Sequence, residues 1–158
     1  RLERYRDLFG DERQDYDEAL QRHYENGPPA DWHERHVSAY ATMHPWEDWA
    51  ETFAHDLHIR DTLETAAEFG LTVAGPASTI DDSLVAAATA AAGERPFAAI
   101  LDEWLPLTYA LNQVNRSMGR DDLYPFTLAP TVIEKLTFLH DAVQDAIAQP
   151  LAQLPGHG

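Results

Sequence analysis

"HPWEDWAETFAHDLH", His44 to His58, sets three histidines, two glutamates and two aspartates among two tryptophans, a phenylalanine and a leucine. Its reading decides the fold. Pro45 suits the first turn of a helix, where its missing N–H leaves no bond unmade, and the residue before a proline is pushed to extended backbone. No glycine or second proline follows until Gly70, so one long helix is expected from Pro45 to Phe69, with Gly70 as its stop. At about 100° per residue, Trp46, Trp49, Ala50, Phe53, Ala54 and Leu57 share one broad face. Glu47, Glu51, His55 and His58 fall in an adjoining arc of about 80°. Helical phase then puts Trp46, Trp49 and Phe53 in the core and Asp48, Thr52 and Asp56 in water. Large apolar area exposed beside Glu47 would instead mark a surface that another segment covers.

Outward from this helix, the pattern stays helical. Leu2, Tyr5, Leu8 and Phe9 recur at helical spacing before Gly10, and a second helix is expected from Asp11 with Tyr16, Leu20 and Tyr24 on one face. Asn26-Gly27-Pro28-Pro29 breaks it. A shorter helix is expected over residues 32–42. "LTVAGPAST" reads as a loop and "IDDSLVAAATAAAG" as a helix ending at Gly93. The stretch from Arg95 reads as a long helix that Pro106 kinks or splits. A last helix carries Val132, Leu136, Leu139, Val143 and Ile147 in register, with His140 as a packing histidine. The expectation is an all-α fold: one helical domain of about six helices over residues 1–150, and a flexible tail over 151–158.

Composition narrows the function. The 158 residues suffice for one domain with a real core. Lys plus Arg is 11 and Asp plus Glu is 27, a formal net charge of −16. That argues against nucleic-acid and membrane partners, both of which need a basic patch. There is no cysteine, which removes disulfides and thiolate zinc sites within the chain and fits a reducing, cytoplasmic setting. The chain opens "RLERYRDLFG" without an initiator Met and already in helical pattern, as expected of a piece of a longer protein.

Carboxylate and imidazole are good zinc ligands, and residues four apart on a helix can face one ion. The Glu47–Glu51–His55–His58 arc is therefore a candidate metal site, and equally an ordinary solvated face. It does not make a complete site alone, because four ligands on one straight helix span about 16 Å at about 1.5 Å per residue. "HERH" puts His33 and His36 outside the H-E-x-x-H register. Asp121-Asp122 lacks a calcium-loop context.

"LFGDERQDYDEALQRHYENGPPADW", "SAYATMHPWEDWAETFAHDLHIRDTLETAAEFGL" and "NRSMGRDDLYPFTLAPTVIEKLTFLH" together resemble the C-terminal part of a bacterial family of zinc-binding metallopeptidases, from Leu2 to about His140. The resemblance implies the C-terminal subdomain of a zincin-like peptidase. It also implies an H-E-x-G-H-Y-Y-W stretch shortly upstream of "LFGDE", bringing two zinc-ligand histidines and a glutamate general base, and often a zinc ribbon further upstream. Neither is in this chain. Many helical zinc peptidases take a third ligand from an E-x-x-A-D or E-x-x-A-N stretch on a later helix, and "EDWAE" resembles that pattern with Glu51 in the last place. The resemblance then makes Glu47 a zinc ligand. Glu51, one turn on, would hold a histidine ligand's outer N–H, with His55 a further candidate for such an outer contact, and Ala50 is small so that the upstream helix can pack. The family itself assigns no role to His44, His55 or His58.

The implied function is the C-terminal half of a zinc-dependent metallopeptidase acting on peptide or protein substrates, inactive without its upstream segment. The competing reading is a noncatalytic acidic helical interaction domain with a basic partner.

Overall fold

The computed structural model describes residues 1–73, 86–87 and 95–148. Five α-helices run in order: α1 (Leu2–Phe9), α2 (Tyr16–Asn26), α3 (Pro45–Glu68), α4 (Phe97–Ser117) and α5 (Pro130–Ala148). Two 3-10 turns, Trp32–Glu34 and Tyr40–Thr42, lie between α2 and α3. Strands β1 (Thr72–Val73) and β2 (Ala86–Ala87) form a short antiparallel pair, with Thr72 opposite Ala87. The chain is mostly helical, with five described α-helices where about six were expected.

α3 is the longest described helix at 24 residues. It begins at Pro45 and ends at Glu68, with Phe69 at its cap and the positive-φ Gly70 just beyond. His44 caps it: the ring Nδ1 accepts the Trp46 N–H at 3.1 Å, satisfying one of the open donors of the first turn. α4 runs through Pro106 without splitting, losing one backbone hydrogen bond.

Three expectations fail locally. α2 starts at Tyr16 rather than Asp11, because Asp15 is the residue whose carboxylate accepts the Glu18 N–H, at 3.0 Å. The polar stretch 32–42 buries only Val37 and Ala41 and makes two 3-10 turns instead of a helix. Ala86–Ala87, placed by alanine propensity in a helix, pairs with β1 and lies against α4. Propensity is a weak prior that tertiary contact overrides. The remainder of that expected helix and the expected tail lie outside the described residues.

The core sits where α3, α4 and α5 meet. Ile59, Leu63 and Ala66 of α3 pack with Phe97, Ile100, Leu101, Trp104 and Leu107 of α4 and with Val132 and Leu136 of α5. Full burial of each large aliphatic side chain contributes about 1.5–3 kcal/mol. α1 closes one end with an aromatic cluster, Phe9 lying 5.3 Å from Trp49 and 6.3 Å from Phe138 between ring centroids.

The phase of α3 contradicts the expectation along its first three turns. Asp48, Thr52 and Asp56 are buried, whereas Trp46 is 55% exposed, Phe53 38% and Leu57 41%. Trp49 is half-buried against α1. The reason is a row of polar partners inside. Lys135 of α5 donates to Asp48 Oδ2 at 2.5 Å and to the Arg35 carbonyl at 2.6 Å. Arg60 donates to Asp56 Oδ2 at 2.7 Å and to His140 Nδ1 at 2.6 Å. His140 is the buried packing histidine expected. Further along, Ile59, Leu63 and Ala66 continue the same inward face with apolar side chains.

Removing one member of the Asp48–Lys135 pair strands the other charge in the interior. Lys135→Ala is expected to cost about 3–5 kcal/mol in urea unfolding, and Asp48→Leu with Lys135→Met markedly less than either single change. A double variant as unstable as the worse single would contradict this account of the pair.

Burial also keeps two histidines neutral. Desolvation lowers both His36 and His55 from 6.5 to about 4, with Lys135 adding to the first and His58 to the second. His140 is lowered in the same way. The unfolded chain takes up these protons near pH 6.5 and the native one only nearer pH 4. Their stabilisation is thus present above the unfolded value and lost as pH falls through the folded one. Asp48 opposes them: desolvation raises it to about 6 despite Lys135, so its contribution is full below its unfolded value and lost as pH rises through about 6. Three groups against one leave a net loss on acidification. The urea midpoint is expected to fall from about pH 7 to about pH 5, with a smaller fall in His55→Gln. An equal fall in that variant would show that His55 does not titrate as described.

Candidate metal centre

The first turns of α3 are positioned from three sides. His44 is buried with both ring nitrogens engaged: Nδ1 accepts from Trp46, so Nε2 carries the proton and donates to the Gln14 carbonyl at 3.1 Å. It is a structural cap with no nitrogen left for a metal. Tyr16, the first residue of α2, lies at a centroid distance of 5.3 Å from the His44 ring and 6.1 Å from Trp46. Its hydroxyl donates to Glu47 Oε1 at 2.7 Å. That bond is the main cause of the raised Tyr16 pKa, followed by a hydrogen bond with Tyr40.

Glu47 is half-buried, with one carboxylate oxygen held by Tyr16. Glu51, one turn on, is also half-buried, and His58 is exposed. His55 turns inward: its Nδ1 is 2.7 Å from the Tyr124 hydroxyl, and its ring meets Phe126 edge-on at 4.5 Å. His55 and His58 remain neighbours, 6.0 Å between centroids. Eight residues separate Glu47 from His55, about 12 Å along the helix. Glu47 and Glu51 therefore share a ridge, while His55 serves the contact with the 119–129 segment. Among the described residues, no group of three or more histidines, aspartates and glutamates could hold a metal ion.

Beside the Glu47–Glu51 ridge runs an apolar stripe in water. Trp46, Ala50, Phe53 and Leu57 are all exposed and recur every three or four residues, which is the spacing that meets another helix. Ala50 leaves a notch between Trp46 and Phe53, where a neighbouring backbone can approach closely.

Tyr16, Lys135 and Tyr124 were not identified from sequence. Tyr16 lies 31 residues from Glu47 and Lys135 lies 87 from Asp48, and no periodicity links such pairs. For His44 a signal existed: an imidazole immediately before a helix-opening proline stands at the cap position.

Among known proteins, the chain is similar to uncharacterized proteins of Mycobacterium tuberculosis and Mycobacterium bovis, with 54% identity over 144 residues, covering 91% of this chain. It spans 40% of the length of those relatives. No solved structure matches it significantly. The model of a family described as "Putative zinc-binding metallo-peptidase" matches residues 1–142. That match covers nearly the whole chain, and the chain belongs to this zinc-binding metallopeptidase family.

Proposed function

We propose that this chain is the part of a zinc-dependent peptidase that presents Glu47 as the third zinc ligand to an H-E-x-x-H helix carried elsewhere in the full-length protein. The observation that carries the reading is the exposed Trp46–Ala50–Phe53–Leu57 stripe beside Glu47. Apolar side chains in water at helical spacing mark a face that packs against something. A helix seated there would lie alongside the glutamate ridge. The relatives' greater length leaves room for such a segment.

The donor set fits one ligand of a zinc site and no more. Glu47 is a carboxylate at the edge of the stripe, and Tyr16 occupies one of its oxygens while the other remains for a cation. A catalytic zinc site takes three protein ligands, so the remaining two belong to the partner helix. Bound zinc would supply a water acidified to near neutrality and polarisation of the scissile carbonyl.

This chain's own residues do the positioning. Tyr16 fixes the carboxylate rotamer by its hydrogen bond, the outer contact that metal ligands generally need. His44 and Pro45 fix where α3 begins, and thereby where Glu47 points. Glu51 stands one turn on, placed to accept from the outer N–H of a ligating histidine. His58 contributes to the cleft wall.

Zinc content of the purified full-length protein tests this. Glu47→Gln is expected to lose zinc and peptidase activity while helical content is kept. Tyr16→Phe and Glu51→Ala are each expected to weaken zinc affinity about 10–100-fold, and His58→Ala to change it little. Full zinc retention in Glu47→Gln would remove this helix from the metal site. A wild-type protein without stoichiometric zinc would favour the acidic interaction domain instead.

A further inference from the structure

We propose that the cavity between α4 and the 119–129 segment is a subsite for an aromatic side chain of a bound peptide. That the ligand is a peptide rests on the peptidase reading above. The aromatic preference rests on the cavity alone.

The cavity has a volume of about 370 Å³ and is walled by Trp104, Tyr109, Asn112, Tyr124 and Phe126, with Leu105, Thr108 and Leu128 completing it. That is small for a ligand site and holds a side chain rather than a helix. No charged residue lines it, in a chain of net charge −16. A charged side chain entering would give up its hydration without a counter-charge. The rings are arranged edge to face, Trp104 and Tyr124 at 5.2 Å and Tyr124 and Phe126 at 5.2 Å. A further ring extends such a set favourably.

The walls are held in advance. Asn112 donates from Nδ2 to the Tyr124 carbonyl at 2.9 Å and accepts the Tyr124 N–H on Oδ1 at 3.0 Å. The Tyr124 hydroxyl is fixed by His55. Trp104 itself is 3% exposed, and its indole Nε1 is buried with no partner among the described residues, so its N–H resonance reports a ring entering beside it.

The cavity lies next to His55 of α3. Tyr124 and Phe126 line it and both touch His55, which neighbours His58 on the glutamate side of α3.

The test titrates three blocked tripeptides, acetyl-Gly-Phe-Gly-amide and its Leu and Glu counterparts, into the zinc-free chain. Heat of binding and the Trp104 indole N–H resonance are followed, the resonance being assigned by Trp104→Phe. The Phe peptide is expected to bind saturably and shift that resonance, with the Glu peptide at least about tenfold weaker. Tyr109 is 65% exposed at the mouth, so Tyr109→Glu should fold normally and weaken the Phe peptide at least about tenfold. No saturable binding of the Phe peptide, equal binding of the Glu peptide, or indifference to Tyr109→Glu would overturn the subsite. The assay needs neither zinc nor a second segment, so its failure is separable from failure of the Glu47 reading, which zinc content alone decides.

Discussion

The buried pair between Asp48 of α3 and Lys135 of α5 is the constraint on which the arrangement turns. Both side chains are almost wholly removed from water. Burial pushes Asp48 up and Lys135 down, and each resists the other's shift by its opposite charge. Such a pair is weak evidence for net stability, because desolvation offsets most of the attraction. Its effect here is on orientation. With Asp48 obliged to face α5, the first three turns of α3 have one rotational phase. Thr52 and Asp56 follow Asp48 inward, and Trp46, Ala50, Phe53 and Leu57 are turned out.

That inversion makes the helix two-faced along its length. From Ile59 onward it is an ordinary core helix, packed with α4 and α5. Before His58 it is polar inside and apolar outside, with Glu47 and Glu51 along the seam. Exposed tryptophan and phenylalanine cost solubility unless they are covered. The cover we propose is a helix that approaches at Ala50 and brings its own ligands to Glu47. Tyr16 holds the Glu47 carboxylate by its hydrogen bond, and the clamp of Asn112 on Tyr124 fixes the residue that the inward-turned His55 meets.

Much of the fold was legible in the sequence. Pro45 and Gly70 mark the ends of α3 because both act through local backbone rules. The register of α5 was legible for Val132, Leu136 and Leu139, whose 3.6-residue pattern directly reflects burial. The phase of α3 was not, since its most apolar arc is not its buried arc. The true inward arc is made by Asp48, Thr52 and Asp56: Asp48 is held by Lys135 from a distant helix, and Asp56 by Arg60, which also reaches His140 far along the chain. The family resemblance pointed to Glu47 through "EDWAE", and local spacing put Glu51 beside it. Tyr16 and the cavity behind His55 depend on contacts between segments far apart in sequence, for which one sequence carries no local sign.

The central claim is that the outward apolar stripe is covered in the whole protein beside Glu47. Hydroxyl-radical footprinting of Trp46 tests it most directly, comparing the 158-residue chain with the full-length protein under the same dose. Trp46 should be readily oxidised in the shorter chain and strongly protected in the longer one, with Phe53 following it. Equal oxidation of Trp46 in both would mean that nothing packs on this face and would contradict the assembly of a metal site there.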